Sequence, residues 1–137
     1  MYLQARGVAQ DFNEALTWFR LAAAQNNAAA QTNLGVMYQE GKGVPKDFNE
    51  ALKWHRLGAA QGNAGAQSNL GEMYGDGIGI TKNFVQAYMW VNLAAAKGSA
   101  TAVRLRDDYT KKMTAQQIAE AQTMARKCEA SNYKQCD

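Results

Sequence analysis

Apolar residues fall at helical spacing in three stretches of the chain, and those stretches align with one another without gaps. In DFNEALTWFRLAAAQNN (11–27), Phe12, Ala15, Leu16, Phe19, Ala22 and Ala23 share one face of a helix. Trp18 and Leu21 widen that face past half the circumference, broader than a surface helix needs. DFNEALKWHRLGAAQGN (47–63) and NFVQAYMWVNLAAAKGS (83–99) repeat the pattern at an offset of 36 residues, so that Phe12, Phe48 and Phe84 coincide, as do Trp18, Trp54 and Trp90. A helix with so wide an apolar face must be covered on two sides, which a stack of repeated units provides.

The segments between these stretches align as well. AAAQTNLGVMYQEGKGVPK against AGAQSNLGEMYGDGIGITK places Leu34 on Leu70, Gly35 on Gly71 and Tyr38 on Tyr74, and the loop glycines Gly41 and Gly43 on Gly77 and Gly79. Each unit therefore reads as a longer helix followed by a shorter one. Asp11 with Glu14, Asp47 with Glu50 and Asn83 with Gln86 have the spacing of a capping box at the longer helices. Asn27, Asn63 and Ser99 are N-caps for the shorter ones. Mid-helix glycine costs about 1 kcal/mol relative to alanine, so the recurrence of Gly35 and Gly71 points to close helix contact. The predicted helices span 11–25, 27–40, 47–61, 63–75, 83–97, 99–112 and 114–131.

The third unit drifts: Asp107 stands at the place of Gly71, Thr110 at that of Tyr74, and KKMTAQQ replaces the glycine loop. Thr114 and Gln117 then open a last helix with Ile118, Ala121 and Ala125 on one face, read as a C-terminal cap on the stack. Carried back to the start, the register puts Met1 and Tyr2 on Met37 and Tyr38, and Gly7 and Val8 on Gly43 and Val44. The chain is expected to begin inside a repeat, as part of a longer natural protein. The division is a partial repeat over 1–26, repeats over 27–62 and 63–98, and a degenerate repeat with its capping helix over 99–137.

The pattern A-x-x-x-L-G-x-x-Y-x-x-G-x-G-V-x-x-D from Ala30 to Asp47, followed by ALKWHRLGA from Ala51 to Ala59, resembles the Sel1-like repeat family, relatives of the tetratricopeptide repeats. The closing MTAQQIAEAQTMARKC is similar to the tail of bacterial arrays of this kind. The resemblance implies an all-α, right-handed superhelical solenoid of antiparallel helix pairs that serves as a scaffold for protein contacts. It further implies that the shorter helices line the concave surface. Contact residues on their outward arc are then Thr32, Val36, Gln39, Ser68, Glu72, Arg104, Asp108 and Lys111.

Composition narrows the field. With 47% apolar and 20% charged residues the 137-residue chain has the make-up of a globular domain. A net charge of +3 without a basic stripe gives no support to a nucleic-acid surface, and no apolar run reaches the roughly 18 residues of a membrane span. The glycines of YGDGIGITKNF (74–84) raise the question of a phosphate cradle, but their spacing by two after a helix is not the G-x-G-x-x-G of a dinucleotide site, nor is the GK followed by Ser or Thr of a P-loop present. Gly41 and Gly77 instead suit the left-handed position that ends a helix. Gly75 is the one glycine this leaves over, and open space on the inner surface is its expected role.

Other candidate chemistry is sparse. The only histidine, His55, stands where the other units have Phe19 and Val91 and is read as packed; no second histidine offers a metal site, and Cys128 and Cys136 have no zinc spacing. Ser131 and Lys134 spell S-x-x-K without the companion motifs of penicillin-recognising enzymes. The Trp and Tyr positions, recurring once per repeat, read as core. Cys128 and Cys136 are either a disulfide stapling the tail in an oxidising compartment or two free thiols; the even count and terminal placement favour the first, and with it a periplasmic or secreted location over the cytoplasm. The expectation is a non-enzymatic scaffold binding a protein or peptide, with no cofactor. The alternatives are a structural spacer or self-assembly segment of a longer protein, or a hydrolase of the cysteine-rich repeat type.

Overall fold

The computed structural model describes residues 8–136, with side chains from Phe12 onward; the register of Met1, Tyr2 and Gly7 lies outside these residues. The described residues form seven helices and no strand: α1 (Val8–Ala24), α2 (Ala28–Glu40), α3 (Phe48–Ala60), α4 (Ala64–Asp76), α5 (Phe84–Ala96), α6 (Ala100–Thr110) and α7 (Ala115–Ala130). Successive helices from α1 to α6 pack in pairs. α2 also touches α4, and α4 touches α6, so α2, α4 and α6 form one row of an all-α repeat solenoid. The expected alternation of longer and shorter helices is absent, since α2, α3, α4 and α5 each have 13 residues.

The loops between repeats are copies. Gly41 and Gly77 end α2 and α4 in the left-handed conformation, at φ 71° and 69°, and donate their N–H groups to Met37 O and Met73 O. A methyl group at Gly43 or Gly79 would stand within 2.9 or 2.8 Å of Cβ of Phe12 or Phe48, so each glycine loop rests on a helix of the preceding unit. The loop serves the stack, and the glycines of 74–84 are accounted for without an anion.

The helix starts differ from the sequence expectation in two respects. α1 includes residue 8, so residue 11 lies inside the helix rather than capping it. Ala9 and Gln10 stand where the next unit has Pro45 and Lys46; proline disfavours helical backbone at the residue before it, and without one the helix extends backwards. Among the described residues the reciprocal capping box is present at Thr114 and Gln117 and absent at Asp47 and Asn83. Asp47 accepts from the N–H groups of Asn49 and Glu50, and Asn83 from that of Gln86. Their own N–H groups donate to Tyr38 O and Tyr74 O, each at 2.9 Å, and need no carboxylate or amide from the third helical position.

Buried residues divide into a smaller cluster around Leu16, Ala23, Ala30, Leu34 and Met37 and a larger one centred on α4 and α5. α7 packs on α5 rather than on α6 and buries Ala121, Ala125 and Cys128. The tryptophans are not uniformly core. Trp90 is 5% exposed, Trp54 half-buried and Trp18 62% exposed. α5 has α7 and the C-terminal tail over it, and nothing described covers the same face of α1.

Candidate protein-binding surface

The mid-helix glycines hold the two rows of helices together. A methyl at Gly35 would meet the His55 ring at 2.5 Å, and one at Gly71 would meet Val91 Cγ1 at 2.6 Å and Ala87 O at 3.0 Å. These are knob-and-hole contacts between α2 and α3 and between α4 and α5. His55 is fully buried, its Nε2–H donating to Gln39 Oε1 at 3.2 Å while Nδ1 has no partner. Burial lowers its pKa from 6.5 to about 4, so the ring is neutral.

Buried amides link the rows further. Gln31 Nε2 donates to Ala23 O and Gln67 Nε2 to Ala59 O, each at 3.3 Å. Gln61 Nε2 donates to Gln31 Oε1 at 2.8 Å, and Lys97 Nζ takes the corresponding place at Gln67 Oε1 and donates to Gly62 O. This ladder fixes the distance between neighbouring repeats, a role that sequence reading missed; its signal was a polar residue recurring on an apolar face.

The anticipated contact residues are distributed unevenly. Arg104 and Asp108 on α6 and Lys111 at its C-terminal cap are exposed, and Glu72 on α4 is half-buried. Burial, and then Asp76, raise the pKa of Glu72. On α2, Val36 is half-buried, Thr32 donates its hydroxyl to Ala28 O and lies 3.1 Å from Asn63 Oδ1, and Gln39 is engaged with His55. Ser68 corrects the expectation: at 6% exposure it lies beneath the surface, because α4 is flanked by both α2 and α6.

Gly75 is a second correction. No space opens there, because the ring of Tyr109 occupies it. The Tyr109 hydroxyl is buried without a partner, and its pKa is pushed up by burial, then by Asp76, Glu72 and Asp108. One end of the α4–α6 surface is accordingly acidic. In the tail, Ser131 Oγ accepts from the N–H groups of Lys134 and Gln135 and donates to Cys128 O, so the S-x-x-K pair builds a turn. Cys128 and Cys136 are disulfide-bonded, with Cα atoms 4.4 Å apart. Among the described residues no group of three or more acidic, His or Cys side chains could hold a metal, and no helix is long and apolar enough to cross a membrane.

The Sel1 repeat model matches residues 1–27, 28–63 and 64–99. No curated protein matches the chain. Among solved structures, a protective antigen present in uropathogenic Escherichia coli strains and displaying an SLR fold superposes with a TM-score of 0.82 at 36% identity. A Sel1 repeat protein from Oxalobacter formigenes superposes with a TM-score of 0.64 at 41% identity. The alignments cover 88% and 69% of this chain but only 27% and 38% of those two, so the chain spans a minor part of the length of either.

Proposed function

The chain belongs to the Sel1 repeat family, and from that premise we propose that it is a non-catalytic scaffold holding a protein or peptide partner along the row α2, α4 and α6. The observation that carries this reading is the contact of α4 with both α2 and α6, which makes one continuous face of residues from separate repeats. Along it, half-buried Val36 and Glu72 give way to exposed Arg104, Asp108 and Lys111. Alternating small, acidic and basic groups suit an extended segment read at several points better than a compact apolar cofactor. The Cys128–Cys136 bond supports an oxidising compartment, periplasmic or secreted.

Reversing charge at two points of the row tests the assignment. The double variant Glu72→Arg, Arg104→Glu is expected to weaken capture of the native partner at least tenfold, about 1.4 kcal/mol, while helical content stays unchanged. Undiminished capture by the double variant would remove this row as the binding surface.

A further inference from the structure

A cavity of about 200 Å³ lies where α3, α4 and α5 meet the C-terminal tail, lined among others by Arg56, Tyr74, Trp90, Tyr133, Lys134 and Cys136. Ligand pockets run to roughly 300–1,000 Å³, and a water takes about 30 Å³ of liquid; this space fits one side chain. Among the described residues no carboxylate lines it. Arg56 and Lys134 are exposed and have no ion pair among the described residues. Arg56 is held in place, one guanidinium nitrogen donating to Tyr74 Oη at 3.1 Å and the group standing 6.0 Å from the Tyr74 ring centroid. Its remaining donors have no acceptor among the described residues.

The preceding repeat shows what the tail adds. Arg20 donates to Tyr38 Oη at 2.9 Å, as Arg56 does to Tyr74, and Trp54 stands where Trp90 does. Yet Tyr38 and Trp54 are only half-buried, whereas Tyr74 and Trp90 are buried. The difference is the tail. Asn132 and Tyr133 both take left-handed backbone, at φ 56° and 65°, a conformation rare for residues other than glycine. The Tyr133 N–H donates to Cys128 O at 2.8 Å, and the disulfide holds Cys136 at the cavity wall. An open groove of the repeat is thereby closed on one side and supplied with a second cation, Lys134.

We propose that this cavity receives a glutamate side chain of an acidic peptide, its methylenes against the Trp90 and Tyr133 rings and its carboxylate paired with Arg56 and Lys134. The wall and Arg56 are held in advance, so little ordering of these is needed on binding, and a fork-shaped guanidinium is the natural partner of a carboxylate. The inference rests on the reading of the chain as a protein-binding module, but it uses none of the residues assigned to the α2–α4–α6 row.

The test is a titration of the ¹⁵N-labelled protein with hexaglutamate, with hexaglutamine and a phosphoserine hexapeptide as comparison probes, followed at the indole N–H resonances of Trp18, Trp54 and Trp90. A saturable shift at Trp90 with hexaglutamate alone is expected, with affinity reduced about tenfold or more in Arg56→Gln and in Lys134→Gln, since charge-assisted hydrogen bonds carry that much. Both variants change exposed side chains, and the double variant Glu72→Arg, Arg104→Glu is expected to retain the shift. Three results would overturn the cavity: no movement of Trp90, equal movement with hexaglutamine, or loss of the shift only in the Glu72, Arg104 variant, which would return acidic-peptide binding to the helix row. A shift with the phosphopeptide and none with hexaglutamate would overturn the carboxylate assignment.

Discussion

His55 stands in a position that the neighbouring repeats fill with Phe19 and Val91, and it is buried as completely as Val91. Its packed state was legible from the repeat, whereas its seat against Gly35 was not. Nor was its hydrogen bond to Gln39, because the partner sits 16 residues away on another helix. Burial of a neutral imidazole makes stability depend on pH with a definite sign. The unfolded ring takes a proton near pH 6.5 and the folded ring only near pH 4; between these values the unfolded state binds more protons. The His55 contribution is therefore complete above about pH 7, declines as pH falls through 6.5, and is exhausted near pH 4, for a total of roughly 3 kcal/mol. Urea unfolding of the protein and of His55→Val across pH 4–8 should show this slope in the first and a flatter profile in the second. Gly75 carries the opposite lesson. Its repeat equivalent Gln39 gave no hint that Tyr109 would fill the space, because Tyr109 itself aligns with Met37 and Met73.

At the scale of elements, start and stop signals were read correctly from α2 onward, whereas the cap expected at residue 11 lies inside α1. Asn27, Asn63, Ser99 and Thr114 cap their helices, and Gly41 and Gly77 end theirs. Reciprocal bonds at Asp47 and Asn83 failed to form because Tyr38 O and Tyr74 O reach those N–H groups first, a competition between elements that spacing along the chain does not reveal. The direction of α7 is likewise non-local. A short link from Thr110 to Ala115 replaces the glycine loop, and α7 turns onto α5. Its end is tied back by Cys128–Cys136, a loop small enough that the cross-link stabilises by about 2–3 kcal/mol in the chain-entropy account. The pair Cys128→Ser, Cys136→Ser should lower stability by that order in chemical denaturation, and should red-shift the emission of Trp90, measured with Trp18 and Trp54 replaced by Phe, as the tail leaves it.

The whole molecule is graded from one end to the other. Leu21, Leu57 and Leu93 occupy one repeat position and are 62%, 41% and 4% exposed. In a stack where each unit contacts only its neighbours, stability follows the local interfaces, and the larger buried cluster surrounds α4 and α5. Hydrogen exchange should find the slowest amides in α4 and α5 and opening at lower free energy in α1 and α2; uniform protection would contradict a division into two clusters. The sequence by itself determined the period, the succession of paired helices, the caps from α2 onward, the glycine turns and the packed state of His55. These follow from spacing and from backbone chemistry within a few residues, and repetition made each signal visible more than once. Only the tertiary structure decided that Ser68 is covered, that Tyr109 fills the place beside Gly75, that Trp18 is exposed while Trp90 is buried, and that the tail closes a groove beside Arg56. Each of these depends on which helix lies across from a residue, and above all on where the non-repeating C-terminal segment comes to rest, which no internal copy could forecast.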